Sequence, residues 1–171
     1  MRKAHRIGIL YSTSGPYAAI GRDCRDAAEF AIAQYAAVMP GLVEPVHVDP
    51  GASLKGYVEG AITMLRDRGC RHIIGTVTSA ARKEIIPVVE KHDGLLWYTC
   101  PYEGFEANPN VIYTGACPNQ HLLPLFEYLL PRFGNRPYLA GANYVWGWEM
   151  NRLARELINA SGGEIAGERY L

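Results

Sequence analysis

One feature dominates this chain: short apolar, β-rich runs closed by turn residues alternate with segments whose apolar residues recur three and four apart. A run at residues 7–11 ends in Ser12-Thr13-Ser14-Gly15-Pro16, and a helical pattern follows over 20–37 with Ala27, Ala28, Ala31, Ile32 and Tyr35 recurring on one face. Pro40-Gly41 stops it. A second run at 42–48 closes on Asp49-Pro50-Gly51, and Ser53 is placed to cap a helix to about residue 68, with Val58, Ile62 and Leu65 inward and Gly69 just past its end. The cycle continues with strands at 72–75, 95–98 and 111–113 and a helix over 79–91 that Pro87 should kink. Residues 95–98 are wholly apolar up to their tyrosine, the pattern of a strand covered on both faces. A helix over 120–133, a strand at 138–142, a helix over 149–161 and a strand at 164–171 complete the chain. Such alternation predicts an α/β fold with a doubly wound parallel sheet.

Composition narrows the function. Lys plus Arg and Asp plus Glu are 17 each, so no basic field attracts nucleic acid or anionic lipid. Neither direct nucleic-acid binding nor membrane insertion is expected, because no apolar run is long enough to span a bilayer. The apolar run after the basic N-terminal residues Arg2 and Lys3 is too short for a signal sequence. With Met1 as the true start the expected compartment is the cytoplasm, and an upstream signal would instead make it the periplasm. Cys24, Cys70, Cys100 and Cys117 form no CxxC pair and, with the five histidines, no zinc spacing; they read as reduced, mostly buried thiols. There is no P-loop, and the spacing from Gly15 to Gly21 is wrong for a dinucleotide fingerprint. No GxSxG or HExxH occurs either, and neither a cofactor nor a metal is expected.

The candidate chemistry lies in residues 75–105. They read as a strand end, a Thr-Ser turn, a helix, a second strand and an aromatic loop, so both loops should emerge at the ligand-binding edge of a parallel sheet. Ser79 is expected to cap the helix, with Thr78 as a turn residue before it, and unpaired N–H groups at a helix head suit a carbonyl oxygen. Tyr98 reads equally as a core tyrosine or as a pocket wall. Tyr144, Trp146 and Trp148 form a second aromatic group in the loop after residues 138–142, and rings in loops often line small-ligand sites. Arg82 and Lys83 are expected to be solvated helix charges, and Asp49-Pro50-Gly51 a turn and nothing more. An alternative makes Cys100 the nucleophile of a cysteine amidohydrolase, with Glu103, Lys83 and Lys91 near it in sequence.

Several segments then recur in order: residues 7–15 (IGILYSTSG), 78–83 (TSAARK), 87–90 (PVVE), 101–105 (PYEGF), 109–113 (PNVIY), 118–120 (PNQ) and 143–145 (NYV). Together they resemble the amide-sensing regulators of aliphatic amidase operons and the urea-binding proteins of ABC transporters, both of type I periplasmic-binding-protein fold. The resemblance runs over essentially the whole chain but over only about half of such a protein. It implies a first α/β lobe over residues 1–116 and the beginning of a second over 117–171. It also implies a non-catalytic binder whose lobes close on a small neutral amide or urea-like ligand. By the resemblance, Ser79, Tyr98, Cys100, Pro101, Tyr144 and Trp146 contact the ligand, with Val77 and Thr78 beside them. Val77 stands where an aromatic is usual, Cys100 where a small hydroxyl is, and Trp146 where a tyrosine is. Without a signal sequence the expected role is a cytoplasmic sensor of amide or nitrogen metabolism that holds and releases an antitermination partner. The alternative is the substrate-binding component of a urea or amide ABC transporter. No helix follows Tyr170, and two strands and two helices after Gly115 are too few for a core. A truncated chain is therefore expected, one whose exposed apolar surface favours self-association into a homo-oligomer.

Overall fold

The structure, a computed structural model, describes residues 4–171. Arg2 and Lys3 lie outside the described residues. The chain divides into two compact units, one made of the residues up to Cys100 with Ala107–Thr114, the other of Pro101–Glu106 with Gly115–Leu171.

The first unit is a five-stranded parallel sheet. Its strands are β1 (His5–Leu10), β2 (Val43–His47), β3 (His72–Gly75), β4 (Leu95–Tyr98) and β5 (Val111–Tyr113), in the order β2-β1-β3-β4-β5. Pro45 sits in β2, an edge strand, where a missing N–H breaks no ladder on the open side. Helix α1 (Ala18–Val38) covers one face through Ala28, Cys24 and Ile32, which pack on Ile9, Tyr11, Ile74 and Val77. Gly21, Cys24, Ala28 and Ile32 thus form its inward stripe, whereas Ala27, Ala31 and Tyr35, expected inward, are exposed.

Helices α2 (Leu54–Ile62) and α3 (Ser79–Lys91) pack against each other, and α2 lies on the opposite sheet face. Ser53 caps α2 as expected, its hydroxyl accepting the Gly56 N–H at 2.9 Å, and a π-helical turn over Thr63–Asp67 extends it to Gly69 at φ +68°. The inward stripe of α2 is Tyr57, Gly60, Ala61 and Met64, rotated from the expected Val58, Ile62 and Leu65, which are half-buried. A Cβ on Gly60 would lie 2.8 Å from Leu10 Cδ1 and 3.0 Å from Val48 Cγ1, so glycine lets this turn of α2 pack closely on the side chains of β1 and of the segment after β2. Buried Leu10, Ile73, Ile85, Val89 and Leu96 form the core of this unit, each contributing about 1.5–3 kcal/mol on full burial.

The expectation that 95–98 is covered on both faces fails at Trp97, which is 37% exposed. Side chains alternate across a strand, so Leu96 and Tyr98 enter the core while Trp97 faces the side of α1, whose packing centres on β1 and β2 and leaves the indole part-exposed. There Ile7, Tyr35, Ile74, Trp97 and Thr99 line a hollow of about 650 Å³, in which the Trp97 indole N–H donates to His72 Nδ1 at 3.2 Å.

The second unit pairs β6 (Tyr138–Gly141) in parallel with β7 (Gly167–Tyr170). Helices α4 (Pro118–Phe133) and α5 (Val145–Ala160) pack together over Phe126, Leu139, Ala154 and Ile158, supported by Leu122, Leu130, Leu157 and Ile165. Helix α5 begins four residues before the expected Glu149 and carries Arg155 to Glu168 of β7. No helix among the described residues is long and apolar enough to cross a membrane.

Candidate functional site

Strand order 2-1-3-4-5 reverses direction between β1 and β3, and ligands of open parallel sheets bind outside the carboxyl ends of the strands at that point. At the end of β1, Ser12 is buried; its Oγ accepts the Ala52 N–H at 2.8 Å. Asp49, following β2, accepts from the Thr13 backbone N–H at 3.2 Å, from the Thr13 hydroxyl and from the Gly51 N–H at 2.9 Å. Burial alone would raise the Asp49 pKa, but these donors outweigh it and hold the carboxyl below its ordinary value. The Asp49-Pro50-Gly51 segment, expected to be only a turn, is therefore the anchor of the β1 loop.

Thr78, not Ser79, caps α3. Its backbone is extended and its Oγ1 accepts the Ala81 N–H at 3.2 Å, while Ser79 is the first residue of the helix proper. Ser79 is 2% exposed, and its Oγ accepts from Arg82 Nη1 at 3.2 Å. Arg82 is no solvated charge: it is fully buried, while Lys83 is exposed as expected. The Arg82 guanidinium lies 4.6 Å from the centre of the Tyr98 ring and 5.9 Å from that of Tyr113, so two π-faces help compensate its desolvation. The sequence held a signal for this. Arg82, Ile85 and Val89 lie three and four apart, on the stripe of α3 that faces inward.

Tyr98 resolves as a core residue, 0% exposed, whose hydroxyl donates to the Val77 carbonyl at 3.0 Å and touches Ser79 and Arg82. Burial pushes its phenol up to about 12, against the opposing pull of Arg82. Val77 contributes its carbonyl to this network and its side chain to the α1 face. The structure thus brings Val77, Thr78, Ser79 and Tyr98 together around Arg82. Cys100 lies beside them in the first unit, buried, and the neighbouring Cys24 thiol together with burial holds its pKa above the ordinary value. A thiol held protonated is the reverse of what a cysteine hydrolase needs.

Pro101, Tyr144 and Trp146 belong to the second unit. Pro101 is exposed, and Tyr144 and Trp146 are half-buried. The second aromatic group is not in a loop. Tyr144 is the N-cap of α5, Trp146 and Trp148 lie in its first turns, and the Trp148 indole N–H donates to Asn143 Oδ1 at 3.1 Å. The buried Trp146 Nε1 has no hydrogen-bond partner among the described residues. Gly147 permits this helix start, since a Cβ there would lie 2.2 Å from the Ala142 carbonyl oxygen. Among the described residues no three His, Cys, Asp or Glu side chains cluster as a metal site would.

Solved structures share this architecture. A solute-binding protein of an ABC transporter from Rhodopseudomonas palustris, in complex with 3,4-dihydroxybenzoic acid, superposes with a TM-score of 0.89 at 16% identity, over 98% of this chain and 47% of its own. A branched-chain amino acid transporter substrate-binding protein from Streptococcus pneumoniae, in complex with isoleucine, gives 0.88 at 16% identity, over 99% and 50%. A branched-chain amino acid ABC transporter periplasmic ligand-binding protein from Burkholderia xenovorans gives 0.81 at 21% identity, over 98% and 46%. At such identities the likeness is one of fold, and the chain spans about half the length of these proteins. A family profile described as "Periplasmic binding protein domain" matches residues 5–171. With its parallel α/β sheet of type I architecture and a match across nearly its whole length, this chain belongs to the periplasmic binding protein domain family.

Proposed function

We propose that the chain is the ligand-binding part of a substrate-binding protein serving an ABC transporter, and that its ligand is a small neutral amide or urea-like compound. The transporter reading is carried by the solved proteins of the same fold, which are named as ABC transporter solute-binding proteins. The ligand class rests on the groups gathered at the end of β3 and β4. The hydroxyls of Thr78, Ser79 and Tyr98 and the Cys100 thiol, at the head of a helix whose dipole favours an oxygen ligand, suit a compact molecule bearing a carbonyl and N–H groups. In this reading Ser79 and the first N–H groups of α3 receive the ligand carbonyl, and Cys100 adjoins it. Tyr98 acts from behind by holding the Val77 carbonyl and the Arg82 guanidinium in place. Pro101, Tyr144 and Trp146 are proposed as ligand contacts on the sequence resemblance alone. The protein is a binder, not a catalyst.

Titration calorimetry of the full-length protein with acetamide, butyramide and urea, beside isoleucine and 4-hydroxybenzoate, tests the ligand class. Binding of an amide or urea, weakened about tenfold by Ser79→Ala, is expected, since one hydrogen bond contributes about 0.5–1.5 kcal/mol. Heat from the carboxylates alone would refute the amide reading, and an unchanged affinity in the variant would remove Ser79 from the site.

A second reading, the amide sensor acting through an antitermination partner, is favoured by the ordered sequence series that includes Pro101 to Phe105. A deletion strain separates the two. Loss of amide or urea uptake supports transport, and loss of amidase induction with intact uptake supports the sensor.

A further inference from the structure

The second unit holds a cavity of its own. It measures about 390 Å³ and is built from the first turns of α4, the later half of α5 and the Pro101–Glu106 segment, with Phe105, Pro118, Leu122, Leu123, Leu153 and Leu157 as its apolar wall. Leu153 and Leu157 stand one turn apart on α5. Leu122 and Leu157 also pack on the core of Phe126 and Ile158, so one side of the cavity is the core of the unit itself. Phe105 is a different kind of wall. It is 81% exposed, and its backbone is left-handed at φ +57°, directly after Gly104 at φ +75°. Glycine takes that conformation freely, whereas a bulky residue there is an outlier, and such strain concentrates at ligand sites.

We propose that this cavity binds a small arylalkylammonium compound, an aromatic ring on a short chain that carries one positive charge. The volume lies in the range of small-molecule pockets, and a leucine wall with an exposed phenylalanine suits a ring. Charge fixes the rest. No Lys, Arg or His lines the cavity, and Glu156 is the one carboxylate that does. Arg152 stands over the Phe105 ring at 5.4 Å, but its guanidinium is divided between Glu149 at 2.9 Å and Glu156 at 2.5 Å. Two carboxylates against one guanidinium leave this group a net negative charge, which attracts a cation and repels a carboxylate.

The polar groups lining the cavity are not equivalent. Asn119 Oδ1 already accepts from the Cys117 thiol at 2.7 Å. The Glu156 carboxylate is exposed and offers about four acceptor positions on its two oxygens, so it can serve Arg152 and an ammonium together. The ammonium therefore sits at Glu156, and the ring enters among Phe105, Leu123 and Leu153. Every residue lining this cavity belongs to the second unit, whereas Ser79 and Tyr98 belong to the first, so the proposal does not rest on the ligand assigned to them.

Amide and leucine-methyl NMR of the full chain, titrated at pH 7 with 2-phenylethylamine, tests the site. Saturable shifts at Gly104, Leu123, Leu153 and Leu157 are expected while Thr78 and Ser79 stay unmoved, so this proposal and the amide reading can fail separately. 3-Phenylpropionate, a similar frame of opposite charge, should bind about tenfold more weakly or worse. Glu156→Gln should weaken the amine about fivefold, the scale of one exposed ion pair, and leave the uncharged analogue ethylbenzene unaffected. Leu123→Trp, at a position already 39% exposed, should fill the cavity and abolish binding of the amine and of ethylbenzene. Should that tryptophan disturb the fold, the exposed Glu156→Gln change still decides. No saturable shift at these residues, a carboxylate that binds as tightly as the amine, an unaltered amine affinity in Glu156→Gln or in folded Leu123→Trp, or shifts there that follow protein concentration without amine, the mark of a second copy, would each overturn the proposal.

Discussion

Replacing Tyr98 by Phe removes one oxygen from the centre of the first unit and leaves the ring. The side chain is 0% exposed, and its ring face lies 4.6 Å from the Arg82 guanidinium, so packing and the cation–π contact persist in the variant. What is lost is the hydroxyl that donates to the Val77 carbonyl at 3.0 Å and also touches Ser79 and Arg82. A typical intramolecular hydrogen bond contributes about 0.5–1.5 kcal/mol net, and a carbonyl left unsatisfied away from water costs about 1–3 kcal/mol. Val77 is half-buried, so water recovers part of that bond and the expected loss is about 1–1.5 kcal/mol. With a urea slope of about 2–3 kcal/mol/M, the midpoint should fall by roughly 0.5 M with an unchanged slope. Urea titration of the full chain followed by tryptophan fluorescence in a Trp146→Phe, Trp148→Phe background reads this directly, because Trp97 is then the sole indole and the neighbouring residue in β4. A midpoint equal to or above that of the unsubstituted protein would refute the argument that the hydroxyl is engaged internally.

Three further outcomes follow from the same geometry. The phenol of Tyr98 is raised by burial from 10.0 to about 12, and burial also raises Tyr11 and Tyr57. Because the folded values exceed the unfolded ones, stability should be fully present below pH 10 and fall as pH rises from 10 towards 12, read by phenolate absorbance against unfolding; phenols ionising near 10 with the fold intact would contradict it. Thr78→Ala should cost about 1 kcal/mol through loss of the α3 cap, and Thr78→Ser should restore most of it in thermal melts. Equal melting of all three proteins would remove Thr78 from that role. Gly21→Ala places a Cβ 1.9 Å from the Ser12 carbonyl oxygen, so α1 must move off the end of β1 at a cost at or above about 1–3 kcal/mol. A native urea midpoint would show that α1 is seated elsewhere.

Local pattern was a good guide wherever one face of an element meets one neighbour. Strands β3, β4 and β5 and helix α3 lie where apolar runs and turn residues indicate, and Ser53 caps α2 because capping depends on a few adjacent groups. Helix starts were less legible. Pro118 opens α4 and Val145 opens α5 earlier than periodicity alone suggests, since proline suits a first turn and Gly147 lets the backbone pass close to Ala142. Around the site, residue types identified Ser79 and Tyr98 as neighbours across one sheet edge, but not what each would bond.

By itself the sequence determined the class of fold, since alternating strand and helix signals with parallel crossovers admit few topologies. It also determined which strand ends would carry polar groups. Only the tertiary structure decided that Arg82 is buried between Ser79 and two tyrosine rings and that Trp97 of β4 is left part-exposed on its sheet face. The physical reason is common to both. Burial and charge compensation depend on which helix lies over which strand, and that follows from the strand order rather than from any residue's neighbours in sequence.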